Sequence, residues 1–174
     1  GNPNASWERA KKLDVGLELG LFNALNIEAA YFTEDRTGIF MRRTSLPSST
    51  GLLGVTPYGN IGRVKSHGVD LSAVYNKQFN KDWSLSLRGT FTFSRNEVVE
   101  KDEGDLMYDY MSVVGHPVNA ITGVLVADGL FTSQEEIDNS PKQQFGNYTV
   151  GDIKYRDLNG DGIVDGNDVT TAGS

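Results

Sequence analysis

The chain has 174 residues and a formal net charge of −7, from 16 Lys and Arg against 23 Asp and Glu. This length suits one ordinary domain, and an acidic chain without a basic patch does not suit nucleic acid, whose phosphates need clustered Lys and Arg. With no cysteine and only two histidines, the chain offers neither a disulfide framework nor the usual ligands of a thiolate or transition-metal site.

Alternation of apolar and polar residues begins near the start of the chain. From residue 13 to 21 every odd position is Leu or Val, and the apolar alternation resumes from residue 25 to 31 after a short break. A period of two puts the apolar side chains on one face of a strand. The two runs therefore predict a β-hairpin over residues 12–41.

The same alternation returns in two later runs. Residues 69–75 carry apolar side chains at odd positions, and residues 83–93 alternate Trp, Leu, Gly and Phe with Ser, Arg and Thr. The second run is about 11 residues long, which is the length that a tilted strand needs to cross a bilayer. A second hairpin is therefore predicted over residues 63–96.

Two other stretches lack this periodicity. Residues 44–60 are rich in Ser, Thr, Gly and Pro and predict a long loop, and residues 97–150 predict an irregular loop region. Within the latter, Ser133 followed three positions later by Glu136 is typical of a helix start. One short helix is expected near residues 133–138.

The segment DLNGDGIVDGND, residues 157–168, resembles a cation-binding loop. In a calcium loop with the pattern D-x-N-x-D-G, side-chain oxygens come from positions 1, 3, 5, 9 and 12, and position 7 gives its backbone carbonyl. The predicted ligands of a structural calcium ion are Asp157, Asn159, Asp161, Ile163, Asp165 and Asp168.

This cation-type loop, predicted over residues 151–170, lacks the paired helices of an EF-hand. Residues 152–156 read as a strand instead, so the segment resembles the single calcium loops of dockerins more closely. The alternative interpretation needs no ion. Asn-Gly and Asp-Gly pairs also form tight turns with solvated carboxylates.

Catalytic chemistry has little support in the sequence. His67 and His116 are 49 residues apart with no Ser or Cys motif beside either, so a nucleophilic triad is not indicated. Carboxylate pairs such as Glu135 with Glu136 more often form a solvated face than a glycosidase pair. We expect no enzymatic activity and assign no catalytic residue.

Periodicity alone allows two architectures. In a soluble sandwich the apolar faces meet in a core, whereas in a membrane barrel they face lipid and the polar faces line the lumen. No apolar run approaches the ~20 residues of a membrane helix, but that test does not apply to barrel strands.

A series of short motifs resembles the RagA/SusC-like TonB-dependent outer-membrane transporters. The motifs fall in the family's order along nearly the whole chain, which is more specific than any one of them, and Asp70 stands where the family pattern has Glu. In chain order they are Gly-Asn-Pro and Trp-Glu within residues 1–22, Tyr31-Phe32-Thr33, Leu46 to Gly51, residues 60–71, Ser94 to Val98, Gly115-His116-Pro117, Gly129-Leu130-Phe131 and residues 151–162.

The resemblance implies an all-β fold of antiparallel up-and-down strands, with residues 1–174 as one partial domain of an outer-membrane β-barrel. It implies a parent transporter in the outer membrane of a Gram-negative, Bacteroidetes-like cell. That parent would take up glycan or peptide oligomers, with TonB, a SusD-like surface lipoprotein and outer-membrane lipid as partners. Such barrels close about 22 strands, so we expect this chain to be a fragment that does not transport by itself.

Two further expectations concern the isolated chain. Strands taken from a barrel have unpaired edges and an apolar face without lipid, so we expect self-association through strand edges. The alternative of a different class is a secreted soluble β-domain that binds calcium and has a carbohydrate- or protein-binding role.

Overall fold

The computed structural model describes residues 5–45 and 57–172. Parts of the predicted loop and of two motifs, at residues 1–4 and 46–56, lie outside the described residues. The chain divides into two compact units, the first formed by Gly1–Arg42 with Pro57–Glu100 and the second by Arg43–Thr56 with Lys101–Ser174.

The first unit is a sheet of four long antiparallel strands in the order β1-β2-β3-β4. The strands are β1 (Arg9–Leu21), β2 (Leu25–Arg42), β3 (Tyr58–Gln78) and β4 (Ser84–Glu100). Neighbours in sequence are neighbours in the sheet, as in an up-and-down barrel. The predicted all-β, up-and-down fold is therefore confirmed.

Short turns connect the strands of each hairpin. Phe22 and Asn23 both have positive φ, at 56° and 47°, and the Ala24 amide donates to the Leu21 carbonyl at 3.1 Å. Two positive φ values match a type I′ turn, whose twist fits paired strands. The other turn is held by Asn80, whose side-chain oxygen accepts from the Trp83 amide at 2.8 Å.

These two turns lie at one end of the sheet, which we call the short-turn end. The opposite end, where β2 and β4 finish at Arg42 and Glu100 and β3 begins at Tyr58, is the long-loop end. Strand pairing is continuous from the short turns up to Arg36 and Val64, and the irregularities in register lie beyond these residues, near the long-loop end.

The second unit is built from short strands and turns. The predicted short helix is present as α1 (Gln134–Asn139), and the Ser133 side chain accepts from the Glu136 amide as predicted. The short strands are β5 (Ile121–Leu125) paired with β10 (Val169–Ala172), β6 (Ala127–Leu130) with β8 (Ile153–Tyr155), and β7 (Lys142–Gln143) with β9 (Ile163–Val164).

Fully buried apolar side chains are concentrated in the second unit. Phe131 is 1% exposed and stacks on Tyr148 with ring centroids 5.4 Å apart, and Val164 is completely buried. In the four-stranded sheet, by contrast, most of the large apolar side chains are exposed. No helix among the described residues combines the length and apolar character needed to cross a membrane.

Candidate functional site

The four-stranded sheet carries its apolar side chains in register. Each strand alternates with period two, and the pairing brings the apolar positions of neighbouring strands opposite one another. We call these positions the apolar belt. Its rows are Val15, Tyr31, Val69 and Phe93; Leu17, Ala29, Leu71 and Phe91; Leu19, Ile27, Ala73 and Gly89; and Leu21, Leu25, Tyr75 and Leu87.

The belt is a surface and not a core. Leu17 is 60% exposed and Phe91 is 56% exposed. The apolar positions run from Leu13 to Leu21 on β1 and from Leu85 to Phe93 on β4, nine residues of each strand. At ~3.3 Å per residue and a tilt of ~40° this corresponds to a band roughly 20–23 Å tall, close to the ~25 Å outer band of a membrane barrel.

The opposite face of the sheet is polar. Glu18 and Glu28 lie directly opposite each other across β1 and β2, and Ser72 and Thr90 continue the same row. A shallow groove follows these rows and includes Asp70 and Arg88 in its lining. Charged and hydroxyl side chains in such numbers require water, so the two faces of the sheet suit different solvents.

Exposed aromatic side chains mark the short-turn end. Phe22 is 88% exposed in the first turn, and Phe79 and Trp83 are exposed in the second. Aromatic residues prefer the boundary between the hydrocarbon and headgroup regions of a bilayer. These three aromatic residues lie just beyond the last row of the belt, where a membrane barrel has its ring of interfacial aromatic side chains.

Charged residues mark the long-loop end. On the polar face, Lys12 pairs with Glu34 at 3.1 Å, and Arg36 pairs with both Glu34 and Glu8. On the apolar face, Arg63 donates to both carboxylate oxygens of Asp35, at 2.9 and 2.6 Å. Exposed pairs of this kind add little stability each, but they end the apolar face sharply.

In the second unit the predicted cation loop is organised around Asp168. This side chain is completely buried, and its carboxylate accepts from the amides of Leu158, Asn159 and Asp165. Asp157 accepts from the amides of Gly160 at 2.6 Å and Gly162 at 2.8 Å. The first and last predicted ligand positions therefore close the loop from both ends.

The remaining predicted ligands make turns within the loop. Asn159 and Asp161 accept from the amides of Asp161 and Ile163, and Asp165 accepts from the Asn167 amide. Among the described residues no three His, Asp or Glu side chains form a group that could hold a metal ion. The carboxylates of the loop are directed at backbone amides rather than at one common point.

The backbone of the loop is fixed by its neighbour β7. The amides of Lys142 and Gln144 donate to the carbonyls of Gly162 and Val164. Successive carbonyls of a strand point in opposite directions, so the carbonyl of Ile163 points away from β7. The position that a calcium loop uses for its backbone ligand is thus free of this pairing.

Two tyrosines that the sequence did not connect with the loop hold it in place. Tyr108 and Tyr110 stack with centroids 5.0 Å apart, and the Tyr110 hydroxyl donates to the Asn167 carbonyl at 2.6 Å. Desolvation, followed by the negative charge of Asp168, raises the pKa of Tyr110. In the sequence, the spacing of two residues between Tyr108 and Tyr110 is the one sign that the two side chains act together.

A second polar cluster links α1 to β8. Lys154 donates to Glu136 at 2.8 Å, and the amide and hydroxyl of Thr132 donate to the same carboxylate. These hydrogen bonds, the one from Lys154 most of all, lower the pKa of Glu136 to about 2. The cluster fixes the helix to the neighbouring strand.

The two histidines lie in different units. His67 is exposed on β3 opposite Arg95, whereas the His116 amide donates to the Val113 carbonyl in a turn of the second unit.

Residues 1–173 match the protein-family model described as "TonB dependent receptor-like, beta-barrel". That description is of a receptor barrel and names no enzymatic reaction. Two relatives from Formosa agariphila are TonB-dependent receptor P26, 29% identical over 99% of this chain, and TonB-dependent receptor P3, 30% identical over 71% of it. The chain spans 18% and 12% of the lengths of these two relatives.

Solved structures with the same fold include two of the RagAB system. One is described as the RagAB peptide importer in a "closed-closed" state and the other as the RagAB peptide transporter. Each matches with a TM-score of 0.64 and 21% identity, over 99% of this chain and 18% of the solved chain.

Proposed function

The chain belongs to the β-barrel family of TonB-dependent receptors, which are outer-membrane proteins, and we propose that its four long strands form part of the wall of an outer-membrane transporter. In this proposal the apolar belt faces lipid and the polar face lines the lumen. The chain makes up a small part of its relatives, so transport would be an activity of the whole receptor.

The register of the apolar belt carries this proposal. Four rows of apolar side chains coincide across three strand pairings. Those of β1 and β4 are exposed in the folded sheet, and those of β2 and β3 are exposed or half-buried. A soluble domain that exposed so much contiguous apolar surface would aggregate. The same feature disfavours the alternative of a secreted soluble calcium-binding domain.

The proposed cargo is a glycan or peptide oligomer. The polar face offers carboxylate, guanidinium and hydroxyl groups along one groove, from Glu18 and Asp70 to Arg88, and such groups can donate to and accept from the backbone of either polymer. The solved relatives are described as a peptide importer and transporter. We propose TonB and a SusD-like surface lipoprotein as partners of the whole receptor, in a Gram-negative, Bacteroidetes-like cell.

A structural calcium ion in the loop at residues 157–168 is a second proposal. Four Asp side chains lie within twelve residues, and none takes part in an ion pair between described residues. Hard oxygen donors of this kind suit calcium better than transition metals. Asp157, Asn159, Asp161, Asp165 and Asp168 would hold the ion with the Ile163 carbonyl, and the ion would supply the positive charge that offsets these carboxylates.

The transport proposal is tested by uptake in cells that express the full-length receptor. Fluorescent oligopeptides and oligosaccharides are offered to cells with the receptor, without it, and with it in a strain that lacks TonB. The proposal predicts accumulation of one of the two classes that needs both the receptor and TonB. Equal accumulation in all three strains contradicts it.

A further inference from the structure

Basic side chains at the long-loop end of the sheet differ between its two faces. On the polar face, Lys12 and Arg36 are both held by Glu34. On the apolar face, Lys11, Lys65 and Arg95 are exposed, and none of them forms an ion pair with another described residue. Lys11 and Lys12 are adjacent in sequence, so the difference follows the face and not the region of the chain.

The three unpaired basic residues lie directly above the apolar belt. Arg95 belongs to the row of Leu13, Thr33 and His67, immediately above the row of Val15 and Phe93, and Lys11 and Lys65 belong to the next row up. Successive rows on one face are about 7 Å apart along a strand. With a strand tilt of ~40° the Arg95 row lies about 5 Å and the lysine row about 10 Å above the uppermost belt row. The headgroup region beyond each side of the hydrocarbon is about 5–8 Å thick, so Arg95 lies within it and the two lysines lie at its outer edge.

The acidic residue between the two lysines is already satisfied. Asp35 lies opposite both Lys11 and Lys65 in the pairing, but its two carboxylate oxygens accept from Arg63. Arg63 also reaches Glu100 at 3.5 Å. Arg63 thus engages two of the three carboxylates in these rows. The third, Glu97, lies opposite Lys65 in the pairing, but no ion pair joins these two side chains, so the lysines stay available to groups outside the protein.

The residues above the belt on the apolar face, which we call the basic patch, have a net charge opposite in sign to that of the whole chain. The three rows above the belt carry five basic residues and three acidic ones on the apolar face, a net charge of +2, whereas the whole chain carries −7. The residues are Arg9, Lys11, Arg63, Lys65 and Arg95 against Asp35, Glu97 and Glu100.

Arg95 joins the patch to the belt. Its guanidinium lies 5.6 Å from the centroid of the Phe93 ring, a cation–π distance. The side chain therefore rests on the uppermost belt residue of β4 and holds its charge at the edge of the apolar band. Long basic side chains placed in this way keep their stems in the apolar phase and their heads at the interface.

We propose that Lys11, Lys65 and Arg95 form a binding site for the phosphate groups of anionic lipids in the outer leaflet. The inference rests on the proposed function, because it requires the belt to lie in a bilayer with the long-loop end outward, as longer loops do in these barrels. Any ligand that reaches the three residues must share the face and the depth of the lipid headgroups. Arg and Lys both bind phosphate through charge-assisted hydrogen bonds, and each basic residue near an anionic surface strengthens binding.

The test measures lipid retained by the full-length receptor. The receptor is reconstituted in nanodiscs that contain a diphosphorylated lipid A, extracted into mild detergent and assayed for bound lipid A by mass spectrometry. The test variant is Lys11→Gln/Lys65→Gln/Arg95→Gln. The matched control, Lys12→Gln/Arg36→Gln/Arg156→Gln, also removes three positive charges, from residues that are ion-paired in the protein.

The proposal predicts that the test variant retains at least about tenfold less lipid A than the wild type, while the control retains nearly the wild-type amount. Dephosphorylated lipid A should be retained weakly by the wild type, and free inorganic phosphate should not displace the lipid. Equal retention by wild type and test variant overturns the proposal, as does an equal loss in test and control variants. Displacement by free phosphate assigns the site to a soluble anion and also overturns it.

Two measurements keep the inference separate from the transport proposal. If the test variant fails to fold, the wild type alone is compared in anionic and zwitterionic nanodiscs with rising salt, and equal retention in both overturns the lipid site. A receptor that does not insert into any nanodisc contradicts the barrel itself. A receptor that inserts and transports but shows no preference for phosphorylated lipid contradicts only the lipid site.

Discussion

Glu18 of β1 lies directly opposite Glu28 of β2, on the polar face of the sheet. Both side chains are exposed, and like charges at directly opposed positions destabilise a strand pair. The arrangement is tolerable only where water screens the two carboxylates. A carboxylate pair on one face and an apolar belt on the other mean that this sheet separates an aqueous phase from an apolar one.

Replacing one member of the pair should strengthen the hairpin. Glu28→Lys turns a like-charge pair into an opposite-charge pair and should stabilise the receptor by about 0.2–1 kcal/mol. The midpoint of heat-induced loss of the compact barrel band on gel electrophoresis measures this. Glu28→Gln should give a smaller gain, and a lower midpoint for Glu28→Lys would mean that Glu28 has a favourable partner elsewhere in the receptor.

A charge placed in the apolar belt should be costly. Leu71→Arg puts a guanidinium in a central row and should destabilise the barrel by about 2–4 kcal/mol. Ser72→Arg, the neighbouring residue on the polar face, is the matched control and should cost much less. Chemical unfolding in lipid vesicles measures both, and equal costs for the two variants would contradict the assignment of the faces.

The first turn stores backbone strain at Phe22. A bulky residue with φ of 56° is an outlier for its type, and such residues cost on the order of 1–3 kcal/mol each. Phe22→Gly should therefore raise the free energy of unfolding in detergent by about 1 kcal/mol. No gain would show that the exposed ring stabilises the fold as much as the turn strains it. Asn23→Ala should have the opposite effect and lower the free energy of unfolding, because Asn tolerates a positive φ better than Ala does.

Acid should loosen the contact between α1 and β8. The pKa of Glu136 falls from an ordinary 4.5 to about 2, and a lowered carboxyl pKa contributes stability that is complete above the ordinary value and lost as the pH falls through the lowered one. The protection of residues 132–137 against hydrogen exchange, relative to the intrinsic exchange rate at each pH, should therefore fall between pH 4.5 and about 2. Glu136→Gln should abolish this dependence, and Glu135→Gln, a neighbour outside the cluster, should preserve it.

The cation loop yields a prediction for calcium itself. Calorimetry should detect calcium binding to the wild type and little binding to Asp161→Ala, and hydrogen exchange at residues 158–165 should slow when calcium is added. Absence of heat in the wild type would leave the segment as a set of tight turns. Asp168→Asn should destabilise the loop by about 1–3 kcal/mol with or without calcium, because the buried carboxylate accepts three amides.

Much of the sheet could be predicted from sequence because the pattern that identifies each strand lies within the strand itself. Period-two alternation at Leu13 to Leu21 and from Trp83 to Phe93 identifies the strands and their faces. What alternation does not reveal is which phase each face meets. That follows here from the register, since only the pairing of Leu17 with Ala29 and of Leu71 with Phe91 turns separate stripes into one continuous surface.

The second unit was less predictable because its contacts are distant in sequence. Residues 97–150 lack periodicity, yet Ile121–Leu125 pairs with Val169–Ala172, and no local pattern announces such a pairing. The helix start at Ser133 was predictable since a capping box is a local motif. The support that Tyr110 gives to the loop, across 57 residues, was not.

The central claim is that the two faces of the sheet meet lipid and water. Because the chain has no cysteine, single cysteines can be introduced from position 14 to 20 in an otherwise cysteine-free full-length receptor, spin-labelled, and reconstituted in vesicles. Labels at Val15, Leu17 and Leu19 should collide with dissolved oxygen and not with a water-soluble nickel complex, and labels at Gly16 and Glu18 should do the reverse. Accessibility without a period of two, or with the faces exchanged, would contradict it.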